Sequence, residues 1–265
     1  MTLLAGVVGW PIAHSLSPVL HNAWISASGI DGRYDALGPS DPEAFRQLIG
    51  RGRGGAFRGV NVTAPYKELA LSMADTVSET ARRAGSANLL VFEEGRIAAD
   101  STDGIGLMGA LGDQAPGLSV TGHVVAILGA GGAARAAVAA LLDAGADVVI
   151  YNRTPAKAEA LVRQLGGRLG DDDDLKSAVL VVNALSAPPA IDLGQLPDEA
   201  VVMDMTYRPL ETPFLQAARR RGLVGVDGLA MLIGQARPSF KAIFGVVPPA
   251  IDVRALAVAD LGERG

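Results

Sequence analysis

Short apolar runs alternate along this chain with segments whose apolar residues recur at helical spacing. The runs Leu3 to Val8, Phe57 to Val62, Val124 to Leu128, Leu180 to Ala184 and Ala200 to Asp204 have the length and composition of buried strands. Helical spacing follows most of them, as in Arg135 to Ala144 after Val124 to Leu128, and it also describes the segment from Leu229 to Phe244. The pattern predicts an α/β protein, with a parallel sheet in its second half.

Two further features refine this pattern in the first half of the chain. Apolar runs lie on both sides of the polar stretch Glu93 to Arg96, which predicts a β-hairpin turning at Glu94-Gly95. Asp41 precedes Pro42 and a helically spaced run, so it is predicted to be the N-cap of a helix. The first half is therefore expected to form an α/β unit of its own.

A glycine-rich stretch follows the strand Val124 to Leu128. It reads Gly129-Ala130-Gly131-Gly132-Ala133-Ala134 and leads into a helix predicted over Arg135 to Ala144, with Gly145 at its C-terminal end and a second strand over Asp147 to Tyr151. In such a unit Gly129 permits the tight turn, Gly131 lets the backbone approach a pyrophosphate, and the small Ala134 permits close packing of helix on strand. The context predicts dinucleotide binding; the alternative is a glycine-rich turn in an ordinary α/β sheet.

The residues after the second strand indicate which dinucleotide is bound. An acidic residue is typical there of NAD sites, and an arginine of NADP sites. This chain has Asn152-Arg153-Thr154 followed by Lys157, and no carboxylate before Glu159. The pattern favours NADP, with a solvated loop cation as the alternative reading of Arg153.

Composition and charge narrow the class of protein. The 265 residues are 49% hydrophobic, enough for a sizeable core in one or two domains, and they include no cysteine, which excludes disulfides and thiolate chemistry. A net charge of -5 argues against nucleic acid as the main partner. No apolar run approaches the ~20 residues of a membrane span, and no basic leader precedes the first strand. A cytoplasmic protein is expected, without a membrane partner.

Polar residues cluster where predicted elements begin or end. Ser15 and Ser17 lie at the start of a helix, where free N-H groups favour an anion, although Ser17 could simply be an N-cap. Asn61, Thr63 and Lys67 follow a strand, at the sheet edge where α/β proteins bind ligands. For Lys67 the alternative is a solvated helix residue.

Two acidic features complete the candidates. Asp103 opens a predicted helix, where capping is its commonest role. The run Asp171 to Asp174 is expected to be a solvated helix start rather than a metal site, because adjacent carboxylates cannot all converge on one ion. No metal site is predicted.

Six stretches in order along nearly the whole chain resemble the shikimate dehydrogenase family. They are Gly9 to Pro18, Asn61 to Glu68, Ser101 to Gly106, Gly129 to Ala136 with Asn152 to Thr154, Tyr207 to Thr212, and Asp227 to Gln235. The resemblance implies two α/β domains facing across a cleft and an NADP-dependent, reversible reduction of 3-dehydroshikimate to shikimate, in aromatic amino acid biosynthesis. Two positions depart from the family's pattern: Leu89 replaces its usual Thr, and Ser101 its usual Asn.

The resemblance also assigns roles to the matching residues. It implies that Ser15, Ser17 and Tyr207 hold the substrate carboxylate, that Thr63, Asn88 and Gln235 bind ring hydroxyls, and that Lys67 and Asp103, which also contact substrate, form the catalytic pair. The cofactor residues are Glu79, Gly129, Ala130, Gly131, Gly132, Ala133, Asn152, Arg153, Thr154, Lys157, Met205 and Gly228. A lysine ammonium beside a carboxylate can supply the proton that ketone reduction requires, and His14 is a rival donor.

The predicted organisation has a substrate-binding and catalytic domain, 1–103 with 228–265, and a Rossmann-like NADP-binding domain, 104–227. A monomer or a homodimer is compatible with the sequence. One alternative function is a quinate/shikimate dehydrogenase with relaxed cofactor use. Another is a nucleotide-binding regulator without catalysis, although such a protein would not need both Lys67 and Asp103.

Overall fold

The computed structural model describes residues 2–171, 173–185 and 187–263, and the chain divides into two compact units. Unit 1 contains the residues up to Thr102 together with those from Gln235 onward, and unit 2 is Asp103–Gly234. None of the helices in these described ranges is long and apolar enough to cross a membrane.

Unit 1 is built on a six-stranded sheet. Its strands are β1 (Leu3–Val8), β2 (Gly32–Leu37), β3 (Gly59–Val62), β4 (Thr76–Val77), β5 (Leu89–Glu93) and β6 (Arg96–Asp100), in the order β2-β1-β3-β5-β6-β4. Strands β1, β2 and β3 are parallel, whereas β5 runs antiparallel to both β3 and β6. The predicted hairpin is confirmed: Glu94 and Gly95 connect β5 to β6 with positive φ angles of 50° and 73°.

Four helices accompany these strands in the first part of the chain: α1 (Ser17–Ala27), α2 (Pro42–Arg53), α3 (Lys67–Ser72) and α4 (Glu79–Ala84). Asp41 is the N-cap of α2, as predicted, and its Oδ1 accepts hydrogen bonds from the backbone N-H groups of Glu43 and Ala44. The short strand β4 and the short helix α4 have too few residues to show a periodicity, and the sequence pattern did not predict them.

Unit 2 is built on a second six-stranded sheet. Its strands are β7 (Val124–Leu128), β8 (Asp147–Tyr151), β9 (Arg168–Leu169), β10 (Ala178–Asn183), β11 (Val201–Asp204) and β12 (Val224–Val226). Every neighbouring pair is parallel, and the order is β12-β11-β10-β7-β8-β9. Counted within the sheet, this is the doubly wound order 3-2-1-4-5-6, in which the direction of winding reverses between β7 and β10.

The helices of unit 2 are α5 (Asp103–Gln114), α6 (Gly132–Asp143), α7 (Pro155–Leu165) and α8 (Pro213–Arg220), with 3-10 turns at Asp174–Ser177 and Leu193–Gln195. Apolar cores lie on both faces of the sheet. Val125 and Ile127 of β7 belong to one core, and Ala126 and Leu128 of the same strand belong to the other. A strand buried on both faces must be apolar throughout, which explains why β7 was recognisable from the sequence.

The second boundary between the two units lies within helix α9 (Gly228–Phe244), and α10 (Val253–Glu263) is the last helix. The predicted boundaries, 103/104 and 227/228, differ from the observed ones by one and seven residues. The larger difference arises inside α9, because Met231 packs in the core of unit 2 whereas residues from Gln235 onward belong to unit 1. Helical periodicity does not show where along one helix the burial partner changes.

Two local predictions are corrected. Helix α6 begins at Gly132, three residues before the predicted Arg135. Asp174 is not solvated: it is 8% exposed and forms an ion pair with Arg168, whose guanidinium also contacts Asp147. The hydrogen bond from Arg168 is the main cause that lowers the pKa of Asp174. Asp172 lies outside the described residues.

Candidate active site

The glycine loop of unit 2 lies at the point where the sheet reverses its winding. Gly129 follows β7, its N-H donates to the Tyr151 carbonyl at 2.8 Å, and its φ is +119°. A Cβ added to Gly129 would lie 3.1 Å from Leu185 Cδ2 and 3.3 Å from the carbonyl carbon of Ala184. Both the backbone conformation and the approach of the loop after β10 therefore require glycine here.

Gly131 differs from Gly129. It is the N-cap of α6 with extended angles, φ −91° and ψ −174°, and it supplies no side-chain cap. A Cβ added to Gly131 would meet nothing within 4 Å. The protein's own atoms therefore leave open space at the first N-H groups of α6, where a phosphate would be favoured.

The remaining residues of the glycine loop are also suited to phosphate binding at the start of α6. Ala130, Gly132 and Ala133 are half-buried, and Ala134 is completely buried against the sheet. Arg135, in the first turn of α6, donates through Nη2 to Gln164, yet its Nε is buried and has no hydrogen-bond partner in the described part of the chain. An unsatisfied cationic donor beside an open helix N-terminus suits an anionic group.

The predicted phosphate-reading residues lie at the carboxyl end of β8. Asn152 Nδ2 donates to the Thr154 carbonyl at 2.9 Å, and this bond holds the loop between β8 and α7. Arg153, Thr154 and Lys157 are exposed. Glu159, the first carboxylate after the strand, forms an ion pair with Arg163, in which Oε2 and Nη1 are 3.7 Å apart.

Met205 and Gly228 are brought into contact in unit 2. A Cβ on Gly228 would lie 2.5 Å from the Met205 carbonyl oxygen and 2.7 Å from that of Thr206, so no side chain is tolerated there. The half-buried Tyr207 follows in the same loop.

A buried aspartate that sequence reasoning did not select holds this loop. Asp204, 2% exposed, accepts hydrogen bonds from Asn183 Nδ2 at 3.1 Å and Thr206 N at 3.0 Å through Oδ1, and from Thr212 Oγ1 at 2.7 Å through Oδ2. The available signal was a carboxylate at the end of an otherwise apolar strand, a position that requires partners.

The two serines of unit 1 lie together at the start of α1. Ser15 Oγ accepts a hydrogen bond from Ser17 N at 3.3 Å, and Ser17 is 4% exposed. The alternative in which Ser17 is the N-cap is wrong: Leu16 occupies that position, and no side chain caps the helix. The nearby His14 is exposed.

Thr63 and Lys67 lie in the segment that follows β3. Thr63 N donates to the Val8 carbonyl at 2.8 Å, and the Thr63 carbonyl accepts from Tyr66 N at 3.1 Å. Lys67 is the half-buried first residue of α3, and its carbonyl accepts from Ala87 N at 3.0 Å. These bonds tie the start of α3 to the residue preceding Asn88.

Asn88 and Gln235, which are 147 positions apart in the sequence, are in direct contact. Asn88 Nδ2 donates to Gln235 Oε1 at 3.1 Å, and both side chains are buried, at 3% and 7% exposed. Thr102, 1% exposed, bonds to both of them. Leu89 and Ser101, the two departures from the family pattern, are also buried.

Asp103 and Glu79 are the two remaining predicted residues. Asp103 is the first residue of α5 and 7% exposed, in unit 2, whereas Lys67 belongs to unit 1. Glu79 belongs to unit 1, is exposed and forms an ion pair with Arg82.

The sheet order of unit 2, with an open glycine loop at its reversal point, defines a dinucleotide-binding α/β protein. Family models match two parts of the chain: "Shikimate dehydrogenase substrate binding domain" over residues 7–90 and "Shikimate / quinate 5-dehydrogenase" over residues 113–189. The chain belongs to the shikimate dehydrogenase family.

Individual proteins agree with this assignment. The NADP(+) shikimate dehydrogenase of Caulobacter vibrioides is 51% identical over 98% of this chain and 96% of its own length. The structure of shikimate 5-dehydrogenase from Thermus thermophilus in complex with NADP(H) and shikimate has a TM-score of 0.87 and 36% identity, covering 99% of both chains. Quinate dehydrogenase from Corynebacterium glutamicum in complex with NAD has a TM-score of 0.86 and 27% identity, covering 98% of this chain and 99% of its own.

Proposed function

We propose that this protein catalyses the reversible, NADP-dependent reduction of 3-dehydroshikimate to shikimate, a step of aromatic amino acid biosynthesis. The observation that carries the proposal is the 51% identity, over 98% of the chain, to the NADP(+) shikimate dehydrogenase of Caulobacter vibrioides. The absence of cysteine fits a cytoplasmic location, which stays a prediction.

NADP is assigned to unit 2. The N-H groups at the start of α6 would receive the pyrophosphate, in the space left open by Gly131, and Arg153 with Lys157 would receive the 2'-phosphate. Met205 and Gly228 are assigned to the nicotinamide end, and Glu79, which belongs to unit 1, is also assigned to the cofactor. A bound nicotinamide would supply or accept the hydride, a transfer for which proteins rely on a cofactor.

The substrate is assigned mainly to unit 1. Ser15 and Ser17 have hydroxyls suited to a carboxylate, with Tyr207 as a third donor. Thr63, Asn88 and Gln235 are assigned to ring hydroxyls. The pairing of Asn88 with Gln235 supports their joint role, because it fixes which end of each amide can meet the ligand.

Lys67 and Asp103 are proposed as the catalytic pair. Reduction of the ketone produces an alkoxide oxygen, and the Lys67 ammonium would hydrogen-bond that oxygen and supply its proton. The Asp103 carboxylate would orient the ammonium and favour its charged form. In the oxidative direction the same pair would receive the hydroxyl proton.

A second candidate is a quinate/shikimate dehydrogenase with relaxed cofactor use, which the similarity to the Corynebacterium glutamicum enzyme favours. An assay of nicotinamide absorbance with shikimate or quinate, each with NADP or NAD, separates the candidates. We expect the highest kcat/KM with shikimate and NADP. Equal rates with quinate or with NAD would favour the second candidate, and no turnover with any pair would favour a nucleotide-binding regulator.

A further inference from the structure

A network of buried hydrogen bonds made by side chains of unit 1 extends from the Asn88 and Gln235 amides. Tyr34, Asn61, Asn88, Thr102, Gln235 and Ser239 take part, and none of them is more than 7% exposed. They come from β2, β3, the segments before β5 and after β6, and α9. Four of them, Tyr34, Asn61, Thr102 and Ser239, have no role in the proposed function.

Asn61 occupies the middle of this hydrogen-bond network. Its Oδ1 accepts a hydrogen bond from Tyr34 Oη at 2.8 Å. Its Nδ2 donates to the backbone carbonyl of Asn88 at 3.1 Å and to Ser239 Oγ at 2.9 Å. The two Nδ2 hydrogens of Asn61 are thereby both used. A fully bonded amide in a buried environment has one favourable orientation.

Ser239 connects Asn61 to Thr102 and Gln235. Its Oγ donates to the Gln235 carbonyl at 3.0 Å, one turn earlier in α9, and lies 3.2 Å from Thr102 Oγ1. Ser239 therefore contacts Asn61, Thr102 and the backbone of Gln235 at once. Loss of its hydroxyl would remove all three contacts without changing the shape of the core appreciably.

Thr102 determines which way the Asn88 amide points. The Thr102 N-H donates to Asn88 Oδ1 at 2.8 Å, and Asn88 Nδ2 lies 3.0 Å from Thr102 Oγ1 and 3.1 Å from Gln235 Oε1. A reversed Asn88 amide would place two donors against each other at Thr102 N. The same arrangement occupies Gln235 Oε1, so Gln235 turns its Nε2 end away from Asn88.

Aromatic side chains pack around the Tyr34 end of the network, which is the end furthest from Gln235. The ring of His21 stacks on Tyr34 at 4.0 Å with an interplanar angle of 6°, and Trp24 and Phe240 surround His21. Burial lowers the pKa of His21 to about 3, so His21 is neutral near pH 7 and places no charge beside Tyr34. The apolar surroundings strengthen the Tyr34 to Asn61 bond.

We propose that Asn61 and Ser239 are positioning residues that hold Asn88 and Gln235 in the orientation required to bind the ring hydroxyls of the substrate. The proposal rests on the assignment of Asn88 and Gln235 to the substrate. Asn61 and Ser239 act through Thr102 and the two amides, with Tyr34 fixing the outer end.

The test compares Ser239→Ala and Tyr34→Phe with the wild-type enzyme. Ring hydroxyls remote from the reacting carbon are bound alike in ground and transition states, so their misplacement raises KM more than it lowers kcat. We expect Ser239→Ala to raise KM and the calorimetric Kd for shikimate about 10-fold, the effect of one ordinary hydrogen bond. The change in kcat should stay within roughly threefold, and KM for NADP should not change. Tyr34→Phe, further from the amides, should raise KM for shikimate by a smaller factor.

A matched control separates positioning from general destabilisation. Asp41→Ala removes the two N-cap hydrogen bonds of α2 in the same unit, away from the network. It should lower Tm by roughly 2–4 °C and leave KM for shikimate unchanged. A Gln235→Ala variant tests the underlying substrate assignment.

The KM values of these variants distinguish the positioning role from the substrate assignment. If Ser239→Ala keeps a wild-type KM for shikimate, or raises it no more than Asp41→Ala does, the positioning role is overturned. If Ser239→Ala does not fold, Tyr34→Phe decides by the same comparison. If Gln235→Ala also binds shikimate normally, the substrate assignment has failed, whereas a weakened Gln235→Ala beside a normal Ser239→Ala removes the positioning proposal alone.

Discussion

Thr212 Oγ1 donates a 2.7 Å hydrogen bond to the buried carboxylate of Asp204, and the same oxygen accepts the N-H of Leu215 at the start of α8. One hydroxyl thus joins the end of β11 to the N-terminus of the next helix. The loop between them contains Met205 and Tyr207, both assigned to ligands. The stability of this loop therefore depends on Thr212.

We expect Thr212→Val to lower the free energy of unfolding by about 1–3 kcal/mol, because it removes a cap and leaves Asp204 with one partner fewer. Thr212→Ser keeps the hydroxyl and should lose much less. Urea unfolding of the two variants measures the difference. Equal losses in both would show that the Thr212 methyl group, and not its hydroxyl, supports the loop.

Gly131→Ala should separate cofactor binding from folding. The extended backbone of Gly131 is open to any residue, and the added Cβ meets no protein atom within 4 Å. Stability should therefore be unchanged or rise by up to about 1 kcal/mol, while affinity for NADP falls because the methyl group occupies the space proposed for the pyrophosphate. Thermal unfolding and calorimetric titration with NADP measure the two quantities. An unchanged Kd for NADP would contradict the assignment.

Arg153→Ala should reduce the preference for NADP over NAD. A charge-assisted contact with the 2'-phosphate contributes roughly 1.5–3 kcal/mol, so the ratio of kcat/KM for the two cofactors should fall about 10- to 150-fold. Arg163→Ala, in the same helix-loop region but paired with Glu159, is the control and should leave the ratio unchanged. A wild-type ratio in Arg153→Ala would show that another residue reads the phosphate.

Lys67 and Asp103 should behave as one catalytic unit. Positioned proton transfer contributes ~10²- to 10⁴-fold, so Lys67→Ala should lower kcat by that factor and leave the Kd for NADP nearly intact. Asp103→Ala should be comparably slow, and the double variant little slower than either. Lys241→Ala, an exposed lysine of α9 without an assigned role, is the control. Losses that multiply in the double variant would show independent roles, and a near-normal Lys67→Ala would make His14 the next candidate.

The pair formed by Arg168 and Asp174 should make stability depend on acid pH. The hydrogen bond from Arg168 lowers the pKa of Asp174, so its contribution is present above the carboxyl's ordinary pKa of about 4 and is lost as the pH falls through the lower, folded value. Arg168→Met should cost on the order of 1–2 kcal/mol near pH 7, less than for a fully buried pair because the Arg168 side chain is 42% exposed.

Thermal unfolding of Arg168→Met and wild type between pH 3 and 7, on either side of a carboxyl pKa of about 4, tests this expectation. The difference in Tm should be largest near neutral pH and should shrink in acid. Arg163→Met, which removes an exposed pair with Glu159, should change Tm little at any pH. A difference between Arg168→Met and wild type that is constant over the whole range would show that the pair contributes only through packing.

Local sequence patterns predicted the dinucleotide-binding half of this protein. The strands β7 and β8, the glycine loop and the positively charged end of β8 are contiguous, and their residue types report directly on burial, backbone conformation and charge. Gly129 and Gly131 illustrate the limit, because the motif does not distinguish the glycine that the protein's own backbone requires from the one beside open space. Only the surrounding atoms make that distinction.

The tertiary structure alone decided which buried polar groups meet. Asn61 and Ser239 are 178 residues apart in the sequence, and Asn88 and Gln235 are 147 apart. Periodicity reports that a residue is buried but not which distant side chain satisfies it, because hydrogen-bond partners depend on how the strands and helices assemble. For the same reason the sequence by itself determined the α/β class, the glycine loop and the family, while the folded chain decided the burial of Asp174, the Leu16 cap position of α1 and the network behind the substrate amides.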